Sequence, residues 1–219
     1  MPHASTAPGN KLPYYSVSMV ANSLIQALVK LHEHSIIHAD IKPNKLLFDI
    51  GEDFIDTHNE LRKEPLQTRG EVDLQGVSYP ILLPQPFRHD FEQWDDSKGD
   101  LEDYDLILNN LGHARLASDT QDYNLHTEMA LRSPEVILQA GYGTGIDIWA
   151  VGLLTYELLT GTPPFRLDAT SPSGVDEDHL AQILKLTAEL VPSTLLERAT
   201  RGSSWFSPDG MLHSLDRRF

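Results

Sequence analysis

The segment that most constrains the fold reads DIWAVGLLTYELLTG, from Asp147 to Gly161. Asp147 is typical of a helix N-cap, and Gly161, closely followed by prolines, is typical of a helix end. A helix that is apolar on every side has to be surrounded by the rest of the chain. The sequence therefore predicts a central buried helix over 147–160, with Trp149 and Leu153 away from solvent.

Two further helices are predicted by apolar residues that recur at steps of three and four. One runs over 16–34, and its apolar face is formed by Val17, Val20, Leu24, Leu28 and Leu31. The other spans 176–191, begins with acidic residues that favour a helix start, and is stopped by Pro192. Pro134 suits a first helical turn. Short strands are predicted in IIHAD, in KLLFDI and over 106–108, so the fold class is mainly α with a few short β-strands.

The negative charge of the chain is concentrated in one region. The whole chain has 32 acidic and 17 basic residues, a net charge of −15. Residues 49–105 contribute 16 acidic and 5 basic residues, a net charge of −11, together with four prolines that interrupt long helices. We interpret 49–105 as a mostly irregular acidic insertion, with short strands predicted only at VSYPILL. It is either a solvated loop or a docking surface for a basic peptide.

Composition excludes several classes of function. An acidic surface repels nucleic acid and anionic membranes, so neither is expected as a partner. The absence of cysteine rules out disulfides and thiolate metal sites. Residues 1–13 form a flexible lead without the apolar core of a signal peptide, and no segment has the roughly 20 apolar residues that a membrane span needs. We therefore expect an intracellular protein, in the cytoplasm, the nucleus or both.

Four motifs occur in an order that resembles the C-terminal lobe of a protein kinase over residues 14–219. They are HADIKPNK within the stretch IIHADIKPNKLLF, then NLG, LRSPE and DIWAVG. The stretches ALRSPEVIL, GTGIDIWAVGLLTYELLTG and DEDHLAQILKL are most similar to the SR-protein kinases, especially fungal members with an acidic insertion. The resemblance implies ATP and Mg²⁺ as cofactors and Arg/Ser-rich proteins as substrates that are phosphorylated on serine.

The resemblance also implies roles for individual residues. Asp40 matches the catalytic aspartate that accepts the proton of the substrate hydroxyl, and Lys42 matches the lysine that neutralises the transferring phosphoryl group. His38 matches the histidine of the internal packing spine. Asp147 matches the buried aspartate that hydrogen-bonds the backbone of the catalytic loop.

Further matches lie downstream of the loop. Residues 110–135 resemble an activation segment, in which Leu111 matches the apolar residue after the metal-binding aspartate. Glu135 matches the glutamate that ends this segment and usually pairs with an arginine nearer the C-terminus, for which we expect no counterpart here. Asp178 matches an acidic residue that holds Arg-rich docking segments, although Lys185 stands where the family tends to have glutamate.

The chain departs from the kinase pattern at the cofactor positions. Lys45 stands where a metal-binding asparagine is expected, with Asn44 one place early, and Asn110 replaces the metal-binding aspartate of the D-F/L-G motif. Mg²⁺ prefers charged oxygen ligands, so an amide is a weak substitute and an ammonium repels the metal. The Lys45 ammonium is instead suited to lie near phosphates as a substitute cation. Ala39 replaces the usual arginine, as in family members that need no activation-loop phosphate.

These departures leave three hypotheses for the function. Neither G-x-G-x-x-G nor V-A-I-K precedes the first predicted helix, so we expect no upper lobe in this chain and weak binding of ATP. The first hypothesis is a truncated or catalytically impaired Ser/Thr kinase of the SR-protein type. The alternatives are a non-catalytic, pseudokinase-like module that binds proteins, and a truncated gene product with no selected role.

Overall fold

The computed structural model describes residues 11–49, 59, 62–63, 65–83, 105–119, 122–171, 174–207 and 210–213. The helices named below are α1 (Tyr14–Glu33), α2 (Pro134–Leu138), α3 (Gly145–Thr160), α4 (Val175–Thr187), α5 (Ser193–Leu196) and α6 (Gly202–Trp205). The strands are β1 (Ile36–Ile37), β2 (Leu46–Asp49), β3 (Thr68–Leu74), β4 (Val77–Leu82), β5 (Asp105–Leu108) and β6 (Arg115–Leu116). The predicted fold class, mainly helical with a few short strands, is confirmed.

Helix α1 forms because its apolar residues fall on one side, and that side packs on α3. The predicted face is buried at Val17, Val20, Leu24 and Leu28, and Leu31 is partly buried against it. These side chains share one cluster with Ala150, Val151 and Leu154 of α3. Residues 1–10 of the predicted flexible lead lie outside the described residues. The rest of the lead reaches α3, because the Leu12 N–H donates to the Leu158 carbonyl at 2.9 Å.

Helix α3 is central, but two details of its prediction are wrong. It begins at Gly145, so Asp147 lies within the first turn and is not the N-cap. Its buried side chains belong to three clusters, one with α1, one with α2 and α4, and one in which Ile146 packs with Ile37, Ala39 and Val136. The second wrong detail is that the helix is not buried on every side, because a strip of its surface faces solvent and Ile148 on it is 51% exposed. Leu153 is buried and Trp149 partly buried, as predicted, and Gly161 ends the helix with a φ of 75°.

Helix α4 is shorter than the predicted 176–191. It ends at Thr187 because Ala188 adopts a left-handed conformation with a φ of 54°, and the Ala188 N–H donates back to the Leu184 carbonyl. Val191 packs on the same core from the following loop. The helix therefore ends before Pro192 can act as its stop. Pro134 lies at the start of α2, as predicted.

The strands form three separate antiparallel pairs, β1–β6, β2–β5 and β3–β4. The first two pairs lie on either side of the HADIKPNK loop. Strands β1, β2 and β5 correspond to segments predicted from the sequence, whereas β6 was not predicted. The third pair lies inside the acidic insertion, which is more regular than predicted over 68–82. Its two-residue turn, Gln75 and Gly76, has positive φ at both positions, as a type I′ hairpin requires. The parts of 49–105 at 50–58 and 84–104 lie outside the described residues.

The length and the polarity of a helix decide whether it can cross a membrane. Among the helices of the described ranges, none combines the length and apolar character that crossing a bilayer requires.

Neighbouring residues of α1 give a direct test of its packing. Replacing Leu24, which is 1% exposed, with alanine should lower the free energy of unfolding by about 2–5 kcal/mol, because it removes buried methyl groups and leaves a cavity. The matched change Ile25→Ala, at a side chain that is 47% exposed, should alter it by only about 0.5 kcal/mol. Urea unfolding of both variants measures the difference. Equal losses would contradict the assigned face of α1.

Candidate active site

The HADIKPNK loop is attached to α3 through the side chain of Asp147. This carboxylate is 1% exposed. One oxygen accepts the backbone N–H of His38 at 2.8 Å, and the other accepts the N–H of Ala39 at 2.9 Å. The His32 ring, from the last turn of α1, lies 2.9 Å from the first oxygen. Asp147 therefore joins α1, α3 and the loop at one buried point, within the first turn of α3, where the helix dipole favours a carboxylate.

The backbone at Ala39 is held in an uncommon conformation. Ala39 is buried and has a φ of 62°, in the left-handed region that few residues other than glycine adopt. Its N–H is bound by Asp147, and its carbonyl accepts a hydrogen bond from the hydroxyl of Thr127. These bonds offset the cost of the conformation. Ala39 thus lies in a tightly constrained turn of the loop, and its carbonyl links the loop to residues 122–131.

His38 links the loop to the end of β5. Its Nδ1 accepts the Asp40 N–H at 3.3 Å, so Nε2 carries the proton and donates to the Asn109 carbonyl at 3.2 Å. The side chain is fully buried. The backbone reinforces the link, since the Asn109 N–H donates to the Lys45 carbonyl at 2.8 Å. The residue after Asn109 is Asn110, so this bond brings the altered metal position to the end of the loop.

Two ammonium groups neutralise the Asp40 carboxylate. Asp40 is only 3% exposed, with Lys42 Nζ 3.1 Å from one oxygen and Lys45 Nζ 3.3 Å from the other. Lys42 also lies 3.4 Å from a carboxylate oxygen of Glu128. Partial burial lowers the pKa of Lys42, but its bond to Asp40 and the charges of Asp40 and Glu128 outweigh this and raise the pKa above its usual value. The centre of the site is therefore an internal ion-pair network.

The residues at the metal positions do not fit Mg²⁺. Lys45 supplies a cation, and Asn110 supplies a neutral amide from a left-handed residue with a φ of 72°. Asn44 is exposed within the 3₁₀ turn Pro43–Lys45. Across the described part of the chain, no group of three or more His, Asp or Glu side chains is arranged to hold a metal ion.

A pair of histidines lies near the network. The rings of His113 and His126 stack with centroids 3.8 Å apart, in the segment that follows β5. Desolvation lowers the pKa of His113, and the charges of His126, Lys45 and Lys42 lower it further, against a raising effect of Asp40. The environment of His113 therefore favours its uncharged form.

The remaining predicted residues are dispersed. Leu111 is 50% exposed in a 3₁₀ turn after Asn110. Glu135 lies in the first turn of α2 and is partly buried, and within the described ranges no arginine forms an ion pair with it. Asp178 lies in α4, where its carboxylate accepts a hydrogen bond from Gln182 at 2.8 Å. Asp178 is thus a surface feature of another helix and no part of the loop network.

Several residues of the site were not predicted from the sequence. These are His32, His113, His126, Thr127 and Glu128. The bond between His32 and Asp147 spans 115 positions of the chain, and that between Thr127 and Ala39 spans 88. No motif or periodicity connects residues so far apart. A search for polar residues close to known motifs would have found His113, which directly follows NLG, and the run His126, Thr127 and Glu128, which precedes LRSPE, but not their partners.

Comparison with known proteins shows which proteins the chain is similar to. The protein kinase domain family matches residues 99–205. The serine/threonine-protein kinase SKY1 of Saccharomyces cerevisiae is 41% identical over 86 residues, which cover 39% of this chain and 12% of that protein. The dual specificity protein kinase CLK2 of Mus musculus is 28% identical over 199 residues, covering 90% of this chain and 32% of that protein. The chain thus spans a third or less of the length of these relatives.

A solved structure supports the fold. The crystal structure of a kinase domain matches 93% of this chain and 51% of its own, with a TM-score of 0.57 and 21% sequence identity. Identity at that level shows the fold alone. The chain therefore has a kinase-like fold, matches the protein kinase domain family over residues 99–205, and has serine/threonine kinases among its relatives.

Proposed function

We propose that the chain is the C-terminal lobe of a Ser/Thr protein kinase of the SR-protein type whose phosphoryl transfer is impaired at the metal positions. The observation that carries this proposal is the pairing of Asp40 with both Lys42 and Lys45. The first contact retains the catalytic aspartate and lysine as neighbours. The second contact places the Lys45 ammonium beside the catalytic carboxylate, and position 45 is one at which kinases have a metal ligand.

The retained residues suit one half of a kinase reaction. A carboxylate in the place of Asp40 can orient a substrate hydroxyl and accept its proton, and the adjacent Lys42 ammonium can stabilise negative charge on a phosphoryl group. The backbone bonds from Asp147 hold the loop that carries both residues. When bound, ATP would supply the phosphoryl group, and Mg²⁺ would supply the charge stabilisation that Lys45 and Asn110 are poorly suited to anchor.

The second candidate function is a non-catalytic module that binds proteins. It is favoured by the same Lys45 contact, because an ammonium 3.3 Å from Asp40 competes with both a metal ion and a substrate hydroxyl for that oxygen. The two candidates differ in one property. An impaired kinase regains phosphoryl transfer when its metal ligands are restored and a nucleotide-binding lobe is supplied. A binding module stays inactive after the same repair.

Binding of nucleotide tests the metal positions directly. The chain should bind ATP more weakly than micromolar, without gain from Mg²⁺, because its residues there are an ammonium and an amide. The double variant Lys45→Asn, Asn110→Asp should gain roughly tenfold in affinity when Mg²⁺ is added, and aspartate tolerates the left-handed backbone at position 110. Calorimetry with and without Mg²⁺ measures both. Lys185→Asn, which removes an exposed lysine of α4, is the control for the loss of a lysine charge; it changes the net charge by one unit, and the double variant by two.

Micromolar and magnesium-dependent binding by the unaltered chain would contradict this prediction. So would an equal gain in the Lys185→Asn control, since the effect would then follow net charge and not metal ligation.

Phosphoryl transfer separates the two candidate functions. Lys45→Asn with Asn110→Asp should not by itself create kinase activity, because the nucleotide remains unplaced without an upper lobe. Fusing the upper lobe of an SR-protein kinase to this double variant should give measurable serine phosphorylation of an Arg/Ser peptide, abolished by Asp40→Asn. The same fusion without the two substitutions should be slower by orders of magnitude.

Equal rates from the two fusions would show that Lys45 and Asn110 are tolerated. Inactivity of both, with folding intact by circular dichroism, would favour the binding module.

The proposed substrate class also needs a docking surface, and the first turn of α4 offers one. Asp176, Glu177 and Asp178 occupy this turn. An arginine of the chain already binds there, since Arg201 lies 2.7 Å from Asp176 and its guanidinium is 5.6 Å from the centroid of the Trp205 ring. A peptide arginine can use the same chemistry at the neighbouring carboxylate. His179 adds no competing cation, because burial lowers its pKa to about 4.

Neutralising Asp178 tests this surface. Asp178→Asn should weaken association with an Arg/Ser peptide by several-fold and reduce its salt dependence, because asparagine can still accept the Gln182 hydrogen bond but carries no charge. Asp119→Asn, an exposed acidic residue outside α4, is the matched control. Fluorescence anisotropy at two salt concentrations measures the effect. Peptide binding unchanged by Asp178→Asn, or equally weakened by Asp119→Asn, would contradict docking at this turn.

A further inference from the structure

The β3–β4 hairpin is set apart from the rest of the described structure. Its two strands pair with each other, and among the described residues no other strand extends this sheet. Every residue of both strands is exposed. An isolated two-stranded hairpin is marginally stable in water, and larger sheets or packing against a helix usually stabilise one. The chain nevertheless encodes its turn and register, as the positive φ angles of Gln75 and Gly76 show.

The two faces of the hairpin differ in chemistry. The register pairs Val72 with Tyr79 and Leu74 with Val77, and alternation along β4 puts Ile81 on the same face. These five apolar side chains are 40–57% exposed. The opposite face is polar at Glu71, Asp73 and Ser78, and the Ser78 hydroxyl donates to Glu71 at 2.6 Å. A contiguous apolar face in water, bordered by polar residues, is the kind of surface that partners cover.

The outer edges of β3 and β4 differ in the backbone hydrogen-bonding groups that they offer to a further strand. In a two-residue hairpin the residues that flank the turn, Leu74 and Val77, exchange backbone hydrogen bonds, so the bonded pairs alternate from there. The peptide groups of Glu71 and Asp73 then point away from β4, along the outer edge of β3. The outer edge of β4 contains Pro80, which has no N–H to donate. The register of β3 shifts between Thr68 and Glu71, so its regular open edge runs from Glu71 to Leu74, and over this stretch only the β3 edge can accept a further strand without meeting a proline.

Charge indicates what the added strand contains. Glu71 and Asp73 lie on the open β3 edge, within a sequence region, 49–105, whose net charge is −11. A second copy of this chain would bring two such regions together, which is electrostatically unfavourable. A strand with lysine or arginine between its apolar residues matches the acidic edge with one face and the apolar surface with the other.

We infer that the β3 edge of the hairpin binds an extended basic segment of another protein, in which large apolar residues alternate with lysine or arginine. Backbone bonds to Glu71 and Asp73 extend the sheet, and the apolar side chains of the segment continue the face formed by Val72 and Leu74. This surface differs from the Arg/Ser docking proposed at α4, because an Arg/Ser peptide has no apolar side chains. It is also independent of phosphoryl transfer.

The test uses the full chain and a short peptide of alternating valine and lysine, free of aggregation by light scattering. Anisotropy should show salt-sensitive binding, weakened roughly tenfold by Val72→Thr with Leu74→Thr, which keeps the strand propensity but removes the apolar face. Glu71→Gln with Asp73→Asn should weaken it and flatten its salt dependence. Leu190→Thr, at an exposed leucine outside the hairpin, should leave binding unchanged.

Two altered probes keep the inference testable even if a variant misfolds. The same peptide N-methylated at every residue has no backbone N–H to donate from either edge, and it should lose binding to the unaltered chain. A valine–glutamate peptide should not bind. Equal binding of the lysine and glutamate peptides, or binding insensitive to N-methylation, would overturn the inference. So would concentration-dependent dimerisation of the chain that Val72→Thr with Leu74→Thr abolishes, since the occupant would then be a second copy.

Discussion

The buried carboxylate of Asp147 is the contact on which the site depends. Helix α3 is held by three apolar clusters, one shared with α1, one with α2 and α4, and one that joins Ile146 to β1 and the loop. Because Asp147 lies in the first turn of that helix and binds two consecutive backbone N–H groups, the loop inherits its position from the core. Loss of either oxygen would leave buried donors without partners, which costs more than the bond itself contributes. The placement of Asp40 and Lys42 follows from this attachment.

The chemistry of the site is set by charge more than by shape. The loop, the His38 link to β5 and the Asp147 attachment retain a catalytic-loop arrangement. Within that arrangement, two lysines neutralise one carboxylate, and an amide replaces a carboxylate nearby. Phosphoryl transfer relies on positive charge positioned around a nucleotide, and here the ammonium groups of Lys42 and Lys45 contact Asp40, the proposed catalytic residue. The hydrogen bonds that hold the loop are thus present together with a charge distribution that differs from the kinase pattern.

Two acidic surfaces are suited to different basic partners. The first turn of α4 presents carboxylates at the end of a packed helix, and Arg201 shows how a guanidinium fits there. The hairpin in the acidic insertion offers an open strand edge beside exposed apolar side chains. The α4 turn would recognise point charges, whereas the hairpin would recognise an extended backbone and its alternating side chains. The strong negative charge of the chain therefore need not serve a single interaction.

Patterns local in the sequence determined much of this protein. The apolar face of α1, the end of α3 at Gly161, the start of α2 at Pro134, and strands β2 and β5 follow from periodicity and backbone preferences over a few residues. The order of the motifs was also sufficient to indicate the kinase-like fold.

Only the tertiary structure decided the partners within the site and the limits of some elements. His32 binds Asp147 and Thr127 binds Ala39 because folding brings together residues that no short pattern connects. Asp147 itself looks like a helix cap until the loop is seen to need its oxygens. Helix α4 ends at Ala188, although its apolar pattern continues to Val191, because that side chain reaches the core from a loop. Local sequence sets which conformations are favourable, and long-range packing and hydrogen bonding select among them.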